Sequence, residues 1–164
     1  MSSFSPGQLE LAEQLLERAR NRNILVATAE SCTGGMISAL LTEIAGSSDV
    51  FERGFVTYSN EAKTGMLGVP SDLIDTYGAV SKPVARSMAE GALKHSLATA
   101  SVAVTGIAGP GGGTAEKPVG LVHIAAARAG RETLHEKHLF GDIGRAAVRL
   151  ACAEAALRLL QRLL

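Results

Sequence analysis

The sequence predicts a three-layer α/β/α sandwich with a mixed, mostly parallel sheet and a C-terminal β-hairpin. Three observations point there. Short β-prone apolar runs alternate with segments of helical periodicity; two such runs near the C-terminus are joined through Ala129, Gly130 and Arg131; and 164 residues suit one domain of ordinary size. Residues 1–164 are therefore read as a single domain.

Ser5 followed by Pro6 starts a helix, because a serine side chain caps free amides and proline suits the first turn. Leu9, Ala12, Leu15, Leu16 and Ala19 then recur at helical spacing until Asn21. Ile24 to Ala29 is a β-prone run, Ser31 to Gly35 a polar turn, and Met36 to Ile44 a helical segment. Arg53 to Ser59 reads as a second strand, and Asn60 caps a short helix reaching about Leu67. Ser81 with Pro83 opens a longer helix through Leu97, and Ser101 to Thr105 is a third strand. Beyond the glycine-rich segment Gly106 to Gly113, Val119 to Ala127 and Glu132 to Phe140 form the hairpin. An Ala- and Leu-rich helix from about Gly144 to Leu163 closes the chain, with Arg145, Arg149, Arg158 and Arg162 reading mostly as a solvated face. This helix would serve a homodimer or equally a core.

Charge and composition exclude several functions. Lys plus Arg and Asp plus Glu both number 16, so no positive excess exists to neutralise nucleic acid or an anionic membrane surface. The only two cysteines, Cys32 and Cys152, form no short C-x-x-C pair, which argues against a disulfide framework and a zinc site. His135 and His138 fall on opposite faces of one strand, a poor metal pair. The N-terminal segment lacks the continuous apolar core of a secretion signal, and no apolar stretch approaches the ~20 residues that cross a bilayer. The expectation is a soluble, cytoplasmic protein with no metal, cofactor, nucleic-acid or membrane partner.

Sheets of this kind hold ligands outside the carboxyl ends of their strands. Three polar clusters fall there: Ser31 to Gly35, Tyr58 to Lys63, and Thr105 to Thr114. Ser31 stands between a strand and a helix, where it is either a helix cap or a nucleophile with the amides of Cys32, Thr33, Gly34 and Gly35 as an oxyanion hole. A nucleophilic serine needs a base, and none of His95, His123, His135 and His138 falls in a turn at the strand ends. Lys63 is the better candidate, since serine-lysine pairs are a known variant of this chemistry. Its ammonium must lose a proton far below the ordinary lysine range, which a helix dipole cannot achieve without burial. Otherwise Lys63 is a surface residue paired with a carboxylate such as Glu61. Tyr58 and Thr105 end strands where a hydroxyl can relay a proton or hold water, and Cys32 is the rival nucleophile. The segment from Thr105 to Thr114 is too glycine-dense for an ordinary connection and suits an anion, phosphate above all, unless it is merely a surface loop. Arg145 could close over the same anion as a bidentate donor.

Six pieces in order, Ala29-Glu-Ser-Cys-Thr-Gly-Gly35, Tyr58-Ser-Asn-Glu-Ala-Lys63, Gly78-Ala-Val-Ser81, Thr105-Gly-Ile-Ala-Gly-Pro-Gly-Gly-Gly-Thr114, Lys117-Pro-Val-Gly120 and Phe140-Gly-Asp-Ile-Gly-Arg145, closely resemble the CinA C-terminal-domain family from Leu9 onward. The resemblance implies a stand-alone amidohydrolase that converts nicotinamide mononucleotide to nicotinate mononucleotide and ammonia in pyridine nucleotide salvage. It further implies an α/β/α sandwich and metal-free catalysis by Ser31 and Lys63 with Tyr58 and Thr105 as helpers. Substrate contacts are expected from Glu30, Cys32, Thr33, Gly34, Gly109, Gly111, Gly112, Gly113 and Arg145. A catalytically silent nucleotide- or phosphate-binding module and a serine peptidase are the alternatives.

Overall fold

The computed structural model describes residues 1–164. In chain order the elements are α1 (Pro6–Asn21), β1 (Val26–Glu30), α2 (Met36–Thr42), β2 (Phe51–Val56), α3 (Asn60–Leu67), α4 (Ser71–Tyr77), α5 (Lys82–Lys94), β3 (Ala100–Gly106), β4 (Leu121–Arg128), β5 (Leu134–Leu139) and α6 (Arg145–Gln161), with one 3-10 turn at Ser47–Asp49. The strands form one sheet in the order β2-β1-β3-β4-β5. β1 is parallel to β2 and to β3, whereas β4 is antiparallel to β3 and to β5, so β4 alone runs against the others. The expected mixed sheet and C-terminal hairpin are both present.

Alternation along the strands separates two cores. Val26, Val102, Val104, Val122 and Ile124 face α1, α2 and α6. Ala27, Ala29, Ala103, Ala125 and Ala127 face the other way, toward α3, α4 and α5. The first face is β-branched and fills its layer; the second is alanine, and it meets Ala85, Ala89 and Ala92 of α5. Small residues on both sides let helix and sheet approach closely. The same economy recurs between helices, because a Cβ added to Gly91 of α5 would lie 2.1 Å from the carbonyl oxygen of Leu67 at the end of α3. Gly91→Ala is therefore expected to cost about 2 kcal/mol or more, read as a lower urea midpoint, since the obstacle is backbone and cannot rotate away.

Ser5 caps α1 in a capping box with Gln8, as the Ser-Pro start predicts. Three details differ from expectation. α3 is capped by Ser59, whose side chain accepts from the Ala62 amide, and Asn60 is its first helical residue. β2 begins at Phe51, where it registers with Val26, instead of at Arg53. α4 and the 3-10 turn carry no strong periodicity and were not expected. α6 buries Val148, Cys152, Ala153, Ala156, Leu157, Leu159 and Leu160, so these apolar residues serve the core. No helix is long and apolar enough to cross a membrane.

Candidate active site

Because β1, β2 and β3 are parallel, their carboxyl ends open at one edge of the sheet. Ser31 follows β1, Tyr58 follows β2 by two residues, and Thr105 lies one residue before the end of β3. A cavity of about 200 Å³ joins these ends, lined by Ser31, Cys32, Tyr58, Asn60, Lys63, Ala79, Val80, Thr105, Gly106, Ala108 and Arg145. Ser31, Lys63, Tyr58, Thr105, Cys32 and Arg145, expected from sequence on four separate segments, thus share one wall.

Lys63 is 1% exposed, among the most buried large side chains of the protein. Its Nζ lies 2.9 Å from Ser31 Oγ and 3.0 Å from the Thr57 carbonyl oxygen. No carboxylate is within ion-pairing distance, which removes the surface-pair alternative with Glu61. Burial pushes the Lys63 ammonium below the ordinary lysine value, while the neighbouring Cys32 thiol pulls weakly the other way. A neutral amine in this position accepts the Ser31 hydroxyl proton and donates to Thr57, so both contacts are satisfied without charge.

Glu30, expected to contact substrate, does something else. Its carboxyl group is fully buried at the end of β1 and accepts from Thr33 Oγ1 at 2.7 Å, the Ile37 amide at 2.8 Å, the Ser38 amide at 3.0 Å and Ser38 Oγ at 2.7 Å. It ties the first turn of α2 to β1 and closes the Ser31 turn from below, and it does not line the cavity. Thr33 is correspondingly buried with its hydroxyl on Glu30, and the Gly34 amide is committed to the Ser31 carbonyl at 3.0 Å. The Glu30 carboxyl group, the Thr33 hydroxyl and the Gly34 amide thus support the turn that carries Ser31, whereas the Thr33 amide has no acceptor within the fold. Glu30→Ala strands two buried amides and two hydroxyls, so we expect a loss of about 3 kcal/mol, measured by urea unfolding, with Glu30→Gln losing less.

The glycine segment is only partly in the wall. Gly106 and Ala108 line the cavity, and the Gly109 carbonyl accepts from Arg145 Nη1 at 2.8 Å. Gly111, Gly112 and Gly113 are exposed and lie outside the cavity lining. The segment is nevertheless held in place: a Cβ on Gly113 would lie 2.8 Å from the Val119 nitrogen, and the Thr114 amide donates to the Lys117 carbonyl at 2.8 Å. Arg145 Nη2 donates to Tyr58 Oη at 2.8 Å, so one guanidinium bridges the glycine segment and Tyr58 across the cavity mouth. Thr105 Oγ1 donates to the Ala79 carbonyl at 2.9 Å, leaving its lone pairs for the cavity.

Cys32 lines the cavity, but its thiol is drawn to the buried Cys152 thiol, whose hydrogen bond lowers it from the ordinary value. The contact with Lys63 Nζ belongs to Ser31. His123 Nδ1 and His135 Nε2 pair at 2.9 Å and His138 binds Glu136, and none of the four histidines lines the cavity. Sequence reasoning missed Asn60, which was assigned to capping, and Arg149, which was assigned to the solvated face. The Ser59-Asn60 dipeptide offered two competing caps, and nothing local distinguishes Arg149 from Arg158.

Fold and cavity together define a class: an α/β/α domain with a serine in contact with a buried, unpaired lysine where its parallel strands end. The chain belongs to the CinA C-terminal domain family, whose model matches residues 8–164. A CinA-like protein of Syntrophobacter fumaroxidans is 52% identical over 90% of this chain, which spans 34% of that relative; this chain covers about a third of several such longer relatives. The nicotinamide-nucleotide amidohydrolase PncC of Escherichia coli is 48% identical over 95% of this chain and 94% of its own length. The crystal structure of competence/damage inducible protein CihA from Agrobacterium tumefaciens superposes with a TM-score of 0.98, at 53% identity and 99% coverage of both chains.

Proposed function

We propose that residues 1–164 form a nicotinamide-nucleotide amidohydrolase domain that hydrolyses the carboxamide of nicotinamide mononucleotide, working in the cytoplasm in pyridine nucleotide salvage. The observation that carries this reading is the 2.9 Å contact between Ser31 Oγ and the buried, carboxylate-free Lys63 Nζ. The similarity to PncC over nearly its whole length supports the substrate.

Neutral Lys63 takes the Ser31 hydroxyl proton as Oγ bonds to the carboxamide carbon, and turn amides hold the resulting oxyanion. When the C–N bond breaks, the Lys63 ammonium returns its proton to the departing nitrogen, which leaves as ammonia. Water then attacks the ester carbon, passes a proton to Lys63, and Ser31 departs with that proton. Amide and water have become carboxylic acid and ammonia. Tyr58 and Thr105 flank this chemistry as hydroxyls for the attacking water. Two of the five N–H groups of Arg145 are engaged within the protein. Its others, with the exposed amides of Gly111 to Gly113, receive the 5′-phosphate, so that remote binding orients the amide.

Ammonia release by the purified chain from nicotinamide mononucleotide, nicotinamide riboside and an unrelated peptide tests the reading. Turnover is expected with the mononucleotide, and a much lower kcat/KM with the riboside. No release from the mononucleotide would leave a silent nucleotide-binding module; peptide cleavage indifferent to phosphate would point to a peptidase. The reading includes a homodimer, which sedimentation checks.

A further inference from the structure

Arg149, on the second turn of α6, has no carboxylate partner within ion-pairing distance. Its Nε instead donates to the Cys32 carbonyl at 3.1 Å and its Nη2 to the Thr33 carbonyl at 2.9 Å. One planar guanidinium therefore grips the carbonyls of the two residues that directly follow Ser31, from a helix more than a hundred residues along the chain. In a trans peptide the carbonyl and the N–H of one plane point in opposite directions. Holding the Cys32 carbonyl toward α6 thus turns the Thr33 N–H away from α6, and holding the Thr33 carbonyl does the same for the Gly34 N–H. The Gly34 N–H is already bound to the Ser31 carbonyl at 3.0 Å, whereas the Thr33 N–H has no acceptor within the fold.

We propose that Arg149 is a positioning residue: it locks the Cys32–Thr33 and Thr33–Gly34 peptide planes, and so keeps the Thr33 amide turned toward the charge that develops when Ser31 attacks. The proposal rests on the amidohydrolase reading for its substrate, but not for its geometry. Without the guanidinium, either plane is free to rotate, and a rotated Cys32–Thr33 plane presents a carbonyl oxygen where a donor is needed. A lysine would supply one charge but not the paired donation. A charge on the carbonyl side also polarises each peptide group and strengthens its N–H as a donor.

The test compares wild type with Arg149→Met, which keeps an apolar stem, Arg149→Lys and Arg149→Ala. Two readouts are taken: steady-state ammonia release, and the rate at which a fluorophosphonate labels Ser31, which needs the nucleophile and its turn but no particular substrate. Arg149→Met is expected to lose roughly 10- to 100-fold in kcat with KM nearly unchanged, and to label Ser31 more slowly by a similar factor. Arg149→Lys should recover only part of this, and sub-denaturing guanidinium should restore Arg149→Ala in both assays. A loss confined to KM, an unchanged labelling rate, or a loss that guanidinium does not restore while circular dichroism stays native would overturn the proposal. Wild type that labels at Ser31 but releases no ammonia would sink the substrate reading alone, and the labelling rates of the variants would still decide the role of Arg149.

Discussion

Ser31→Ala is expected to lower ammonia release from nicotinamide mononucleotide by roughly 10⁴-fold or more, because removing the nucleophile of a covalent mechanism leaves only binding and oxyanion stabilisation. The fold should survive. Ser31 Oγ meets only Lys63, and Lys63 retains the Thr57 carbonyl at 3.0 Å, so no buried polar group is left without a partner. Thermal unfolding of the variant should stay close to wild type, which separates a chemical loss from a structural one. Residual turnover would be informative in its own right. Were it abolished by a thiol alkylating agent, Cys32 would be acting in place of the missing hydroxyl. Turnover that persists at the wild-type rate would remove Ser31 from the mechanism altogether.

Lys63 has the second large effect, and its two substitutions do different things. Lys63→Arg should be nearly inactive, since a guanidinium cannot become a neutral base, and its bulk has no room where a lysine is 1% exposed. Lys63→Met should be equally inactive but well folded, because an unbranched apolar chain suits the site. The pH dependence has a definite sign. In the unfolded chain the lysine keeps its ordinary pKa near ~10.4, whereas burial lowers it in the folded protein. Between the two values the unfolded state binds more protons, so stability rises with pH there. That contribution is fully present above the unfolded value and is lost as pH falls through the folded one. Urea midpoints of wild type should therefore climb relative to Lys63→Met as the solution is made alkaline, and kcat/KM of wild type should climb over the lower part of the same window. Parallel midpoint curves for the two proteins would mean that Lys63 is not held below its ordinary value.

Much of the architecture is legible along the chain. The Ser5-Pro6 start, the β-prone run before Ser31, the short glycine-bearing link of the hairpin and the apolar spacing of α1 are local signals, read over a few residues. The short helix α4 was not legible, since its seven residues carry only Ile74 into the core. Capping at Ser59-Asn60 was ambiguous because both side chains are good caps, and only the Ala62 amide chose between them.

The sequence by itself determined the order of the elements, the placing of Ser31, Tyr58 and Thr105 where strands end, and the preference for Lys63 over any histidine as the candidate base. Tertiary structure decided what those residues can do. Lys63 reaches Ser31 across 32 positions, and Arg149 reaches Cys32 across 117. Periodicity and capping act within a few residues, whereas burial of an amine, the turning of the Glu30 carboxyl group into the fold and the grip of Arg149 on the nucleophile turn arise only when distant segments pack. The same lysine in an exposed helix would be an ordinary ammonium. Its partner and its protonation belong to the fold.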